Sequence, residues 1–393
     1  MRKAAASYAS TLECAERLVP TLAARARETE ALRRIPDRTI ADLRASGLFR
    51  VLQPSRVGGA ELPYDALVRV TAILARGCGS TAWVYANLAN HDFMLAMWPA
   101  EAQHEVWSVS TDQTIGSALM FPPGRATRAP GGYRLSGRWK FSSGIDACTW
   151  IMLGGIASAD GELPDYRVFL VPQGDYETID TWYAAGLRGT GSKDVEVSDI
   201  FIPEHRALAV NSMKGCGAPG ASLNPGALYR LPVFDMFPYV VAATALGLAQ
   251  GAIEMFAADT RHRVTSYSTT LMSDHATTQL RLGEAASAVE AAELLLLANC
   301  QTAMADAEAS HLPTAQEKIR LRRDGAYAAR LCTHAVDLLF EAGGGEFLYD
   351  DKPMQRVFRD VHAAQSHYAL AWDVVAVQAG KFMLGIAPDI PTL

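Results

Sequence analysis

The chain has 393 residues, 49% of them hydrophobic, with 36 basic and 42 acidic side chains and a net charge of −6. That composition is far from a disordered chain, and charges of both signs are interspersed, so no basic stripe recommends nucleic acid as a partner. No apolar run reaches the roughly 20 residues of a membrane span, and charge in the STLECAERLV segment breaks any signal-peptide core. The six cysteines (Cys14, Cys78, Cys148, Cys216, Cys300, Cys332) are far apart with no CxxC pair, which predicts reduced thiols in a cytoplasmic protein.

Residues 1 to about 110 read as helices. Arg34 to Arg38 sets up a helix start around Pro36, and Thr39 to Leu43 continues it with apolar positions at helical spacing. Leu67–Cys78 and Thr81–Trp98 repeat the pattern, with Gly79-Ser80 as the expected break and Gly58-Gly59 as a loop. From about 112 to 208 the period changes to two. Tyr133 to Phe141 and Val195 to Pro203 alternate apolar and polar residues, and Tyr166 to Val171 is a short apolar run rich in β-branched and aromatic side chains. Turn residues at Pro130 to Gly132, Asp160-Gly161 and Gly189 to Gly191 separate them.

Residues 209 to about 230 are rich in Gly, Pro, Ser and Asn and read as a long loop, a lid or a linker. Long helices follow at Tyr239 to about 263, Thr277–Ala309, Thr314–Gly343 and Gln355–Leu384. Small residues in the first (Ala242, Ala243, Ala245, Gly247, Ala249, Gly251) predict close approach of its neighbours, in a bundle at a subunit interface. Helices, then strands, then a long-helix bundle is neither βαβ alternation nor an all-α pattern.

Several motifs fail on their context. Gly215 to Gly220 spells GxGxxG, but Pro219 and its surroundings deny the strand and helix that a dinucleotide site needs. The nine histidines form no HExxH or i,i+4 pair, and His362 and His367, five apart on an expected helix, would point about 140° away from each other. No metal site is expected, and no GxSxG elbow is present.

Five segments, in order, resemble the acyl-CoA dehydrogenase family. They are Gly47-Leu48-Phe49 with Gln53-Pro54 and Gly58-Gly59; Gly137 to Gly144 (GRWKFSSG, where the family has GxKxxITNG); Gly186 to Thr190 with Val195, Asp199 and Ile202-Pro203; Arg263; and Gly343 to Gly345 followed by Arg359-Asp360. The resemblance implies an α+β fold: an N-terminal helical domain (1–111), a central β-barrel (112–210), a loop or lid (211–231) and a C-terminal helical bundle (232–393) carrying flavin and the oligomer interface. Two positions depart from the dehydrogenases. Where those enzymes place the carboxylate base, this chain has Tyr368, or, in the alternative placement, a position near Phe237; neither is an acid.

Phe141-Ser142-Ser143-Gly144 and the Arg359 to His367 tail (RDVHAAQSH) are similar to the two-component flavin-dependent monooxygenase branch of that fold, which contains the p-hydroxyphenylacetate and phenolic-steroid hydroxylases. The resemblance implies reduced FMN or FAD supplied by a separate NAD(P)H:flavin reductase, reaction with O2 to a flavin C4a-hydroperoxide, and hydroxylation of a phenolic or other aromatic, possibly polycyclic, substrate. It also implies a homotetramer built on the bundle.

Residue by residue, His367 is expected to take the phenol proton or hold the phenolate, which suits a side chain of ordinary pKa about 6.5. Ser142 is expected at flavin N5, His91 and Ser117 at the substrate's polar end, and Arg263 on the flavin phosphate. Ser143, Gly343 and Gly344 are expected beside the cofactor, and Trp150 nearby as packing. The 209–230 loop, with Met213 and Tyr229 and the adjoining Phe234, is expected to cover the substrate's way in. N- or S-oxygenation on the same fold, acyl-CoA dehydrogenation, and a non-catalytic flavin-binding scaffold are the alternatives.

Overall fold

A computed structural model describes residues 7–157, 164–215, 217–264, 269–390 and 392–393. The expected turn at Asp160-Gly161 and the residue Cys216 lie outside them. Five helices come first: α1 (Tyr8–Leu32), α2 (Asp37–Ser46), α3 (Tyr64–Gly77), α4 (Gly79–Leu95) and α5 (Ala100–Trp107). The Ser7 hydroxyl caps α1 by accepting from the Ser10 N–H at 3.2 Å, and Arg33 ends it in the left-handed region at φ 54°. The break between α3 and α4 falls at Cys78, whose backbone is extended (φ −157°, ψ 113°). It therefore lies one residue before the expected Gly79-Ser80. Every residue of α4 is buried, which makes it the central rod of the helical half and explains why no polar stripe marks it in the sequence.

Eight strands follow: β1 (Ile115–Ala118), β2 (Arg125–Ala129), β3 (Gly132–Ser142), β4 (Trp150–Ala157), β5 (Asp165–Pro172), β6 (Glu177–Ile179), β7 (Lys193–Pro203) and β8 (Ala207–Ala209). They form one sheet in the order β6-β7-β3-β2-β4-β5-β8, with β1 also on β4. The expected barrel is corrected to an open sheet. Closure needs every strand paired on both edges, and the two end strands, three residues each, do not pair with one another.

The C-terminal half contains α6 (Val233–Thr260), α7 (Ala276–Glu308), α8 (Ala315–Gly343), α9 (Pro353–Gln365) and α10 (Trp372–Met383). The last expected helix is thus two, broken between Gln365 and Trp372. A capping box starts α8: the Thr314 hydroxyl accepts from the Glu317 N–H, and the Glu317 carboxylate accepts from the Thr314 N–H. By length and composition α6 could cross a membrane, contrary to the reading of its sequence, but 72% of its most apolar window is buried inside the protein. The small residues do bring helices close. A Cβ on Gly247 would sit 2.0 Å from the Ala72 carbonyl oxygen, so α3 and α6 cross backbone to backbone.

Among the described residues of 210–230 the regular structure is three short 3-10 turns, and the segment is fastened at Asn224 and Tyr229. Asn224 Nδ2 donates to the Ala96 carbonyl at 2.8 Å, Arg56 Nε donates to Asn224 Oδ1 at 2.7 Å, and Tyr229 OH donates to the Leu52 carbonyl at 3.1 Å. Met213 and Tyr229 are buried. Their side chains pack against the body of the protein, and whether the segment covers the substrate's way in stays a proposal.

Candidate active site

The break between α9 and α10 places His367 outside any helix. Its backbone is extended (φ −65°, ψ 137°), and its Nδ1 accepts a hydrogen bond from the Ala369 N–H at 3.1 Å. Two aromatic side chains flank its imidazole: Trp83 of α4, with ring centroids 5.6 Å apart, and Phe237 of α6, at 5.5 Å. Burial among these apolar rings pulls the pKa of His367 down to about 4. His362, expected to be exposed or structural, is half-exposed and pairs with Asp337 at 2.8 Å.

Trp83 is fixed from its other side. Its Nε1 donates to Ser143 Oγ at 3.0 Å, Ser143 Oγ lies 2.7 Å from Ser192 Oγ, and Ser192 Oγ lies 2.6 Å from Thr190 Oγ1. Thr190 Oγ1 donates to the Leu187 carbonyl at 3.0 Å. Indole can only donate and a carbonyl can only accept, so the hydroxyl protons point one way along the chain, from Trp83 to Leu187. Ser143 therefore has no proton left for a ligand.

Its neighbour Ser142 is the opposite case. It is fully buried, and its Oγ has no hydrogen-bond partner among the described residues. A buried hydroxyl left unmade costs about 1–3 kcal/mol, so a group that meets it on binding recovers that cost; a flavin ring nitrogen fits. The strand is irregular here. A bulge interrupts the β3–β7 register between Trp139 and Ser142, and Phe141 sits at φ 64°, a conformation costing roughly 1–2 kcal/mol for a non-glycine residue. Gly144, at φ 71°, then turns the chain under α4.

His91, two turns beyond Trp83 on α4, is fully buried with Nδ1 2.6 Å from the Ile115 carbonyl of β1. Its Nε2 has no partner, and burial lowers its pKa to about 4. Ser117, two residues along β1 from Ile115, is half-buried. His91 and Ser117 thus share one helix–strand contact, and Trp83 joins His91 to the His367 side through α4. Trp150 lies under the Arg206 guanidinium, 5.2 Å from its ring centroid, as sheet packing.

Arg263 and Gly343 also meet. The guanidinium Nη1 donates to the Gly343 carbonyl at 3.0 Å, Nε lies 2.9 Å from the Asp259 carboxylate, and the group sits over the Phe347 ring at 5.1 Å. Gly344 follows, exposed, at φ 63°. This cluster lies past the C-terminal end of α6, whereas Phe237 is near its start. At 1.5 Å per residue the two are on the order of 40 Å apart along the helix. One flavin cannot touch both ends within one chain.

Sequence reasoning missed Trp83 as a wall of this site, since a tryptophan in a wholly apolar helix looks like any core residue. Phe237 had a signal. It falls near one of the two positions where a dehydrogenase places its base, and it contacts His367. Tyr368, on the other, is 76% exposed. Asp360 is the nearby acid, but it faces elsewhere: its Oδ1 accepts from the Leu187 N–H at 2.6 Å, joining two of the family-like segments.

Comparisons with known proteins identify the fold and the family. Residues 9–109 match the acyl-CoA dehydrogenase N-terminal domain and residues 239–372 the acyl-CoA dehydrogenase C-terminal domain. The chain is 36% identical over 353 residues to the flavin-dependent monooxygenase oxygenase subunit HsaA of Rhodococcus jostii, covering 90% of this chain and 92% of that one. The crystal structure of the HsaA monooxygenase from M. tuberculosis superposes with a TM-score of 0.93 at 34% identity, over 98% of this chain and 100% of that one. XiaF from Streptomyces sp., solved with FADH2 and glycerol, superposes at 0.92 with 30% identity, over 98% of each chain. The chain belongs to the acyl-CoA dehydrogenase fold family, among the oxygenase subunits of its flavin-dependent monooxygenases.

Proposed function

We propose that this chain is the oxygenase component of a two-component flavin-dependent monooxygenase that hydroxylates a phenolic or related aromatic substrate. It takes reduced FMN or FAD from a separate NAD(P)H-dependent reductase. The observation that carries this reading is the pairing of His367 with Phe237. At the two positions where a dehydrogenase needs a carboxylate stand a phenylalanine and an exposed tyrosine, and between aromatic walls stands a neutral histidine instead.

Reduced flavin, when bound, would supply the two electrons that activate O2, and O2 would supply the oxygen atom transferred. The protein's residues do the rest. Trp83 and Phe237 hold an aromatic ring beside His367 and keep water from it. His367 holds the substrate oxygen as phenolate, and that ionised form carries the higher electron density at the adjacent ring carbon. Ser142 offers its free hydroxyl to the flavin ring, while Ser143 keeps Trp83 in place. His91 and Ser117 meet the far end of the substrate.

The separation along α6 supports an oligomer in which Arg263 and Gly343 of one copy hold the flavin whose ring lies at Ser142 of another. Exposed apolar side chains on α7 and α10, among them Leu280, Leu294, Val377 and Met383, offer surface for such contacts. A tetramer, a dimer of dimers, is the arrangement this reading favours.

The test combines the purified protein with FAD or FMN, NADH and an unrelated flavin reductase over a panel of phenols. Hydroxylated product should form only when the reductase is present. Rapid NADH oxidation by the protein alone would remove the two-component assignment, and oxidation of an acyl-CoA would restore the dehydrogenase.

A further inference from the structure

The family-like string Gly186 to Thr190, with Ser192 just beyond it, has no task in the reaction described so far. Its bonds reach three elements around His367. The Leu187 N–H donates to Asp360 Oδ1 of α9 at 2.6 Å. The Gly189 N–H donates to Ser80 Oγ at 3.1 Å, one turn before Trp83 on α4. The Gly144 N–H, in the turn after β3, donates to the Thr190 carbonyl at 2.8 Å. Gly191, at φ 55°, bends the chain so that the buried Thr190 and Ser192 hydroxyls meet at 2.6 Å. Thr190 has given its hydrogen to the Leu187 carbonyl, so Ser192 must donate to Thr190, and Ser143 to Ser192 at 2.7 Å. The Ser143 oxygen is then left to accept from the Trp83 indole at 3.0 Å.

We infer that Thr190 and Ser192 are positioning residues: acting through Ser143, they hold the Trp83 indole at its spacing from His367. The bonds close a circuit. It starts at Asp360 on α9, the helix that delivers His367 just past its end, and it finishes at Trp83, whose ring centroid lies 5.6 Å from that of His367. Packing alone lets an indole swing about χ2, a broad torsion, and a hydrogen bond at its Nε1 edge removes that freedom. Ser143 keeps its own rotamer because Ser192 offers it an acceptor. A wall fixed before the substrate arrives spares the cost of ordering it on binding. The Thr190 and Ser192 hydroxyls bond to neither Trp83 nor His367, so their effect falls on substrate binding and leaves the chemical step alone. That an aromatic substrate meets this wall rests on the phenol-hydroxylase reading above; the hold on Trp83 does not.

Three variants test the proposal. Ser192→Ala removes the acceptor of Ser143, Thr190→Val cuts the chain one bond further on, and Thr190→Ser keeps every hydroxyl. The first measurement is solvent exchange of the indole N–H groups, by ¹⁵N NMR of tryptophan-labelled protein with signals assigned through Trp83→Phe and Trp139→Phe. Trp139, fully buried and donating to the Gly154 carbonyl at 2.8 Å, reports global opening in the same sample. Relative to Trp139, Trp83 should exchange about two- to tenfold faster in Ser192→Ala and Thr190→Val, and as in the wild type in Thr190→Ser. Equal acceleration at both indoles, or none at Trp83, overturns the positioning role. The second measurement is kinetic, with the phenol of the panel that the wild type turns over fastest. Ser192→Ala should raise KM about two- to tenfold with kcat within about twofold. Trp83→Phe should raise KM by itself, and adding Ser192→Ala to it should raise KM by less than about twofold more. Additive effects, or a loss confined to kcat, overturn the proposal and leave the hydroxylase standing. If no phenol is hydroxylated while Trp83 alone responds in the exchange, the function falls and the positioning stands.

Discussion

Ser142 ends β3 and Ser143 begins the turn after it, and their hydroxyls have opposite states. The Ser143 hydroxyl is saturated by Trp83 and Ser192, and that of Ser142 has no protein partner. Ser142→Ala should therefore leave the melting temperature unchanged or slightly raised. A hydrogen bond to flavin worth about 0.5–1.5 kcal/mol would be lost, so reduced flavin wasted as H2O2 should increase roughly two- to tenfold. Ser143→Ala strands the Trp83 N–H instead, at about 1–3 kcal/mol, and should lower the melting temperature with a smaller effect on H2O2. Peroxide release and thermal melts of both variants decide it; the reverse assignment would show the register of β3 misread.

Asp360 carries a second residue-level expectation. Burial pushes its carboxyl up to about 7, against the Leu187 N–H, which favours the charged form. An unfolded aspartate titrates near 3.9. Between these values the folded chain holds a proton that the unfolded chain releases, so this group's contribution to stability falls as pH rises from about 4 to 7. Asp360→Asn keeps an oxygen acceptor and has no charge to bury. Its stability relative to wild type should improve by a few kcal/mol over that window, read by denaturant melts at pH 5 and pH 8; a constant difference would remove the titration. His91 and His367 act in the opposite sense, their contribution lost as pH falls from about 6.5 to 4, and they cancel in this comparison.

Among elements, the crossing of α3 and α6 rests on the absence of one carbon atom. With the Ala72 carbonyl 2.0 Å from where a Cβ would stand, Gly247→Ala must push two buried helices apart. This should cost about 1–3 kcal/mol net, more than the ~1 kcal/mol that alanine gains over glycine in a helix. Gly283 of α7 has nothing within 4 Å of its added Cβ, and Gly283→Ala should stabilise by up to ~1 kcal/mol. Opposite shifts in melting temperature are the expected result, and a rise in both would mean that α3 adjusts freely. The break between α9 and α10 matters in the same way. It frees the Ala369 N–H to hold His367, which a continuous helix would have used for its own ladder.

At the scale of the whole molecule, the distance along α6 supports the proposal that the two ends of a flavin site come from different copies. Mixed oligomers test this. His367→Ala and Arg263→Ala chains, co-expressed, should recover hydroxylation that neither shows alone, since some sites would combine an intact ring pocket with an intact Arg263. If Arg263 serves its own chain, the mixture should give no more than the average of the two. Light scattering on the wild type should return a tetramer, and a monomer that retains flavin would contradict this arrangement.

The order of helices, strands and bundle was legible in the sequence because each stretch has its own hydrophobic period. The family resemblance could be read because motifs such as GRWKFSSG and the RD tail are local strings. The close-packed face of α6 was also visible, since small side chains advertise close approach wherever they occur. Other features depend on long-range partners. The open sheet followed from which strands pair at its ends, and the fastening of residues 209–230 followed from Asn224 and Tyr229 finding carbonyls far away in the sequence. The tail of α9 was read as continuous helix because its apolar positions keep helical spacing across His367. Only tertiary packing, with Trp83 and Phe237 taking the two sides of that ring, decided that the chain stops there. The backbone partners of His91 and His367 belong to the same class, because the Ile115 carbonyl and the Ala369 N–H meet those rings only in the fold.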